Sequence, residues 1–130
     1  MKNIIKTGSK EIKVKNEIYT LYWKITFNSN MGHPCAYICL PEDHISWGNF
    51  KKLQKNFYHI DVHGGVTYNE NLNFDTVTKI NDESCVIFGW DYGHIDDYSL
   101  LNPEGTQYSV EEIQTECESA IDQIAVILNN

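Results

Sequence analysis

The chain has 130 residues, 42% of them hydrophobic, and a formal net charge of −8 at pH 7. That length suits a single domain able to bury a core without disulfide or metal staples. The acidic balance argues against duplex nucleic acid as a partner, because non-specific affinity there rests on neutralising phosphates.

Arginine is absent altogether. A bound phosphate or carboxylate must therefore be held by lysine, histidine, backbone N–H groups, hydroxyls or a metal rather than by a bidentate guanidinium. Lysines cluster before Lys24 and acid dominates after Asp82, which reads as solvated faces of opposite sign. No apolar run approaches the roughly 18 residues of a membrane span, and Met1 to Lys15 lacks the continuous apolar segment of a signal peptide. A cytoplasmic chain with no membrane partner is the expectation. Cys35, Cys39, Cys85 and Cys117 have no C-x-x-C spacing and read as small buried apolar residues. Cys35 and Cys39 are taken to share a face only if their segment is helical. Since Ala36-Tyr37-Ile38 before Pro41 reads as a strand, no cysteine zinc site is expected.

In chain order, alternating apolar and polar residues from Glu11 to Lys15 and Ile18 to Phe27 predict a β-hairpin within residues 1–27. Asn28 to Gly32 is turn-rich, and Cys35 to Leu40 predicts a short central strand closed by Pro41. Asp43 is positioned to cap a short helix running toward Gln54, with Gly48 limiting its length. Phe57 to His63 predicts a strand stopping at Gly64-Gly65, with extended chain resuming at Val66-Thr67-Tyr68. Ser84 to Asp91 predicts an interior strand. Ser109-Val110-Glu111-Glu112 is a capping box, and Ile113, Cys117, Ala120, Ile121, Ile124 and Leu128 form one stripe at helical spacing, predicting a helix over 109–128. The fold class expected is α+β: one small domain over 1–130, mainly antiparallel sheet, covered by a C-terminal amphipathic helix.

Polar residues that core and turn chemistry explain least well fall in four clusters, each at a predicted strand end within 33–97. They are Gly32-His33-Pro34, Pro41 to His44, Asp61 to Gly65, and Asp91 to Asp97. Loops at strand ends let a rigid sheet bring distant side chains together, which makes one shared site the expectation. Gly64-Gly65 can expose N–H groups to an anion, although an ordinary tight turn is the plainer reading of two glycines. Asp91-x-x-His94-x-x-Asp97 is more specific. As an acid/base set, His94 or His63 takes a proton from water and Asp91 holds the imidazole tautomer. As a metal centre, two histidines and a carboxylate leave a position open for water. His33 and His44 are less telling, and His59, Asp61 and His63 would share one face of a strand. Trp23 and Trp90 read as core.

Together, Cys35-Ala36-Tyr37-Ile38 with Leu40-Pro41-x-x-His44, then Val62-His63-Gly64-Gly65-Val66-Thr67-Tyr68, then Phe88-Gly89-Trp90-Asp91-x-x-His94-x-x-Asp97, then the terminal helix with Glu116-Cys117-Glu118 form an ordered pattern. Over roughly residues 33–125 it resembles a family of small phage and prophage proteins of unknown function, with an HGG-aliphatic-T-aromatic motif and an FG-x-D-x-x-H-x-x-D motif. The resemblance implies an anti-defence protein that inactivates a nucleotide-derived immune signal. The lead expectation is hydrolysis of a cyclic oligonucleotide phosphodiester by His44, His63, Asp91 and His94, with Gly64, Gly65, Thr67, Tyr68, Trp47 and Asp97 binding the ligand. A divalent metal is a candidate cofactor. The alternatives are a sponge that sequesters a cyclic nucleotide or ADP-ribose derivative intact, and a protein-binding inhibitor. A homo-oligomer completing its pocket across a symmetric interface is a candidate assembly.

Overall fold

The computed structural model describes residues 2–30, 32–41, 46–56, 59–69, 78–80, 83–94, 96–98 and 100–130. The fold is α+β. Strands β1 (Lys2–Val14) and β2 (Glu17–Asn28) form a long antiparallel hairpin, with Lys2 opposite Asn28 and Val14 opposite Glu17. The hairpin was expected from Glu11, but β2 offers pairing along its whole length and β1 extends back to Lys2. One bulge interrupts the register between Ile4 and Lys6. Lys15 takes φ 56, the left-handed value that a two-residue turn requires of its first loop residue.

β3 (His33–Pro41) lies between β2 and β6 (Glu83–Asp91), so both expected inner strands are inner. Two short strands, β4 (Tyr68–Asn69) and β5 (Thr78–Ile80), pair antiparallel with β6. Pro41 pairs with Cys85 and Cys35 with Asp91, and this register gives the sheet two ends. The Asp91 end carries the site described below.

Helix α2 (Val110–Asn129) begins as its sequence dictates. Ser109 Oγ accepts from Glu112 N–H while the Glu112 carboxylate accepts from Ser109 N–H, a reciprocal cap that contributes about 1 kcal/mol. Its buried residues are the six of the predicted stripe. They pack on the sheet face formed by Leu21, Trp23, Ile25, Ile38, Phe88 and Trp90. Full burial of each large apolar side chain stabilises the fold by about 2 kcal/mol, so this layer is the principal core. Asn129 fastens the far end of the helix to the hairpin turn, accepting from Lys15 N–H and donating to the Lys13 carbonyl. Lys6 and Lys10 reach across to Gln114 and Asp122. The longest helix is not apolar enough to cross a membrane, nor is any other among the described residues.

α1 (Trp47–Asn56) sits at the hairpin-turn end, where Asn49 donates to Tyr19 Oη and Leu53 enters the core. Ser46 provides the cap, accepting from Asn49 N–H at 3.2 Å. Asp43, expected in that role, lies outside the described residues.

Two expectations need correction. The predicted strand at Phe57–His63 is not in the sheet over its described part, residues 59–63. Its backbone is satisfied by helix side chains instead: Gln123 accepts from Asp61 N–H and donates to the Asp61 carbonyl, and Glu116 accepts from His63 N–H. The alternation of His59, Asp61 and His63 therefore has no pleat behind it, and His59 and Asp61 are exposed. Secondly, Cys35 and Cys39 do share a face, with Tyr37 between them, because positions four apart on a strand are equivalent. A rise of about 3.3 Å per residue still separates their Cα atoms by about 13 Å, too far for a disulfide. Cys35, Cys39 and Cys117 are buried, as expected of apolar fillers.

Burial, reinforced by Glu116 and Glu118, pushes the Cys117 thiol from its ordinary 9.0 up to about 12. The folded state thus retains a proton that the unfolded chain loses above pH 9. Stability is unaffected by this group below pH 9 and falls between pH 9 and 12, with a limiting slope of about 1.4 kcal/mol per pH unit. Urea midpoints across that range should decline less steeply for Cys117→Ala than for the parent. Parallel declines would show that the thiol does not titrate on unfolding.

Candidate functional site

Two connections meet beside the N-terminal half of α2 at the Asp91 end of the sheet. The first is Val62-His63-Gly64-Gly65, a turn closed by Gly65 N–H donating to the Val62 carbonyl at 2.9 Å. Gly64 has φ +70, a value L side chains resist. A Cβ there would fall 2.0 Å from His94 Nε2, so this glycine also makes room for an imidazole. Gly65 has φ +78 and open space around it.

The second connection leaves β6 at Asp91 and reaches α2 through Asp97 and Thr106. Asp97 N–H donates to the His94 carbonyl, and Asp97 Oδ2 accepts from His94 N–H at 3.0 Å, closing the turn twice. Thr106 N–H donates to Asp96, and Tyr98 N–H donates back to Thr106. The pairing is close enough that a Cβ on Gly105 would lie 2.2 Å from the Asp97 backbone. This framework holds the Asp97 carboxylate in the interior, 2% exposed.

Between the two connections, His63 Nε2 donates to Asp97 Oδ2 at 2.7 Å. The carboxylate thereby fixes the imidazole tautomer, leaving Nδ1 as the lone-pair nitrogen of the neutral ring. The His63 ring stacks on Tyr92 at 4.7 Å and 9°, with Tyr108 tilted at 4.9 Å and the His94 ring edge-on at 5.4 Å. His94 Nε2 is buried without a hydrogen-bond partner, 3.7 Å from Asp91 Oδ1. One donor atom each from His63, His94 and Asp97 lie within 4.8 Å of one another, a donor set able to hold a divalent metal ion.

Beneath the stack lies Glu116. Its Oε1 accepts from Tyr92 Oη–H, from Trp90 Nε1–H at 3.1 Å and from His63 N–H at 3.2 Å. Burial, then the bond to Glu116, raises the Tyr92 phenol above its ordinary 10.0 and keeps it a donor. Tyr92 and Tyr108 also wall a cavity of about 340 Å³ that includes Phe27, Pro34, Tyr98 and Ile113. Tyr92 and Tyr108 thus stand between His63 and this hollow, whose lining does not include His63 itself.

Of the expected residues, the fold brings together His63, Gly64, His94, Asp91 and Asp97. The carboxylate roles differ from expectation. Asp97, read as a ligand-binding residue, orients His63, whereas Asp91 accepts from Gly93 N–H at 2.9 Å and Thr67 Oγ1–H at 3.4 Å. Thr67 and Asp91 border a second hollow of about 300 Å³ with His33, Cys35 and Tyr37. Gly65 N–H, expected to meet an anion, is engaged in its turn. Tyr68 lies in β4 opposite Gly89. Trp47 begins α1 at the other end of the sheet and is not brought to this cluster. His44 lies outside the described residues. His33 is buried, its ring against Gly93.

Sequence reasoning did not assign site roles to Glu116, Tyr92 and Tyr108. Glu116 carried a signal, as an acidic residue beside Cys117 of the buried stripe, where an unpaired carboxylate would be costly. No family model, curated protein or solved structure matches the chain.

Proposed function

We propose that this chain is a hydrolase that cleaves a phosphodiester in a small nucleotide-like molecule, with water activated at the His63, His94 and Asp97 cluster. The observation carrying this reading is the convergence of two imidazoles and a buried carboxylate from separate connections, with donor atoms within 4.8 Å. In the reaction the water oxygen bonds to phosphorus and one P–O ester bond breaks. The water proton passes to an acceptor in the cluster, and the departing oxygen gains a proton. The Tyr92, Tyr98 and Tyr108 hollow offers aromatic faces for a base or other uncharged planar ring. The resemblance to small phage proteins suggests the class of molecule, a cyclic oligonucleotide immune signal whose cleavage would silence a host defence.

The test is incubation of the purified chain with cyclic dinucleotides and ADP-ribose derivatives, followed by chromatography before and after heat denaturation. Linear fragments are expected from the parent, and His63→Ala and His94→Ala should lower turnover by at least about 100-fold while circular dichroism stays unchanged. Unaltered turnover in both variants would end the assignment. Intact ligand released only on heating would identify a sponge using the same aromatic hollow.

A further inference from the structure

We infer that His63, His94 and Asp97 form a binding site for one divalent transition-metal ion of the zinc class. The inference rests on the geometry of the cluster and not on the hydrolase reading. Two ligands on a tetrahedral zinc ion lie about 3.4 Å apart, given metal–ligand bonds of about 2.0–2.1 Å. The observed donors, none more than 4.8 Å from another, close to that spacing on binding, and an ion held by both His63 Nε2 and Asp97 replaces the proton of the hydrogen bond that now joins them.

Three further features point to a cation. First, His94 Nε2 is buried with no hydrogen bond, and the structure keeps it there by leaving position 64 without a Cβ. A buried ring nitrogen without a partner is out of the ordinary, since buried polar atoms are usually satisfied, and a bound cation would satisfy it. Secondly, among the described residues neither Asp97 nor Asp91 has a lysine ion pair: Asp97 bonds the His63 ring, and Asp91 lies 3.7 Å from His94 Nε2. The chain has no guanidinium to offer them. Glu116 adds a third carboxylate one layer below, so a divalent ion would complement the local charge. Thirdly, the supports resemble those of a built metal centre, in which groups behind the ligands fix their orientation. Asp97 is fixed by His94 N–H, and the His63 backbone is held by Glu116.

Two imidazoles and one carboxylate select the metal class. Calcium and magnesium favour oxygen ligands, whereas imidazole suits zinc, iron, cobalt, nickel or copper. Three protein ligands leave at least one position for water or substrate.

The experiment is titration of the chelator-treated chain with zinc by calorimetry, alongside ¹⁵N spectra of the histidine rings. One equivalent should bind, the His63 and His94 ring signals should move together, and His94→Ala and Asp97→Asn should each weaken affinity by at least about 100-fold. His59→Ala, removing an exposed histidine outside the cluster, should bind as the parent does. The parent spectra keep the test valid if a variant misfolds. Absence of binding overturns the inference, as does binding that leaves both ring signals in place. Turnover by the chelator-treated chain together with absence of zinc binding would overturn it while leaving the hydrolase reading intact. Zinc binding without turnover on any nucleotide would support the site and count against that reading.

Discussion

Gly64→Ala should leave the sheet folded and dismantle the site. Two separate effects act at this position. The backbone at φ +70 costs a residue with a Cβ about 1–2 kcal/mol, and the new methyl would fall 2.0 Å from His94 Nε2. The ring lies at the end of a rotatable side chain, so the overlap is relieved by His94 swinging out rather than by unfolding. Gly65→Ala separates the effects, because Gly65 has φ +78 with nothing near the added Cβ. Both variants should lose about 1–2 kcal/mol in urea denaturation. Only Gly64→Ala should shift the His94 ring resonances, and its turnover should fall at least about 100-fold below that of Gly65→Ala. Equal behaviour of the two variants would show that His94 does not occupy the space over Gly64.

Glu116→Ala should be among the most destabilising single changes near the site. It removes the acceptor shared by Tyr92 Oη–H, Trp90 Nε1–H and His63 N–H. Trp90 Nε1–H keeps a second acceptor in Tyr92 Oη, but the phenol donor loses its partner in a buried setting. Leaving buried donors unpaired costs roughly 1–3 kcal/mol for each group, so a loss of about 3 kcal/mol is expected. Glu116→Gln retains an acceptor oxygen and should lose about 1 kcal/mol. Urea denaturation of both variants at neutral pH decides the matter, and a loss below about 0.5 kcal/mol for Glu116→Ala would refute this account. The alanine variant should also lose turnover, because the His63 backbone is no longer tied to α2.

The contrast between these predictions shows what was legible in the chain. Elements governed by local periodicity were readable. The Ser109 capping box and the stripe from Ile113 to Leu128 specify α2 almost residue by residue, and the alternation around Trp23 specifies the hairpin. Asp91-x-x-His94-x-x-Asp97 was readable as a chemical motif because its residues share one short connection. The division of labour between Asp91 and Asp97 was not, since it depends on where His63, 34 positions from Asp97, is delivered. The segment ending at His63 misled for a related reason. Its alternating residues suggest a pleat, but its N–H groups find acceptors on Gln123 and Glu116, more than fifty residues further along the chain. Hydrogen bonds to distant side chains leave no period in the local sequence.

The bulge of β1 has a consequence beyond the chain's own contacts. β1 is the outer strand of the hairpin, 13 residues long, and its outer backbone edge could template another strand. Lys6 and Lys10 turn toward α2, where they meet Gln114 and Asp122, while the irregularity between Ile4 and Lys6 breaks the hydrogen-bonding rhythm of the strand. A second copy adding antiparallel to this edge would meet an interrupted ladder. The bulge thus makes this edge a poorer template for edge-to-edge addition than an unbroken strand of the same length.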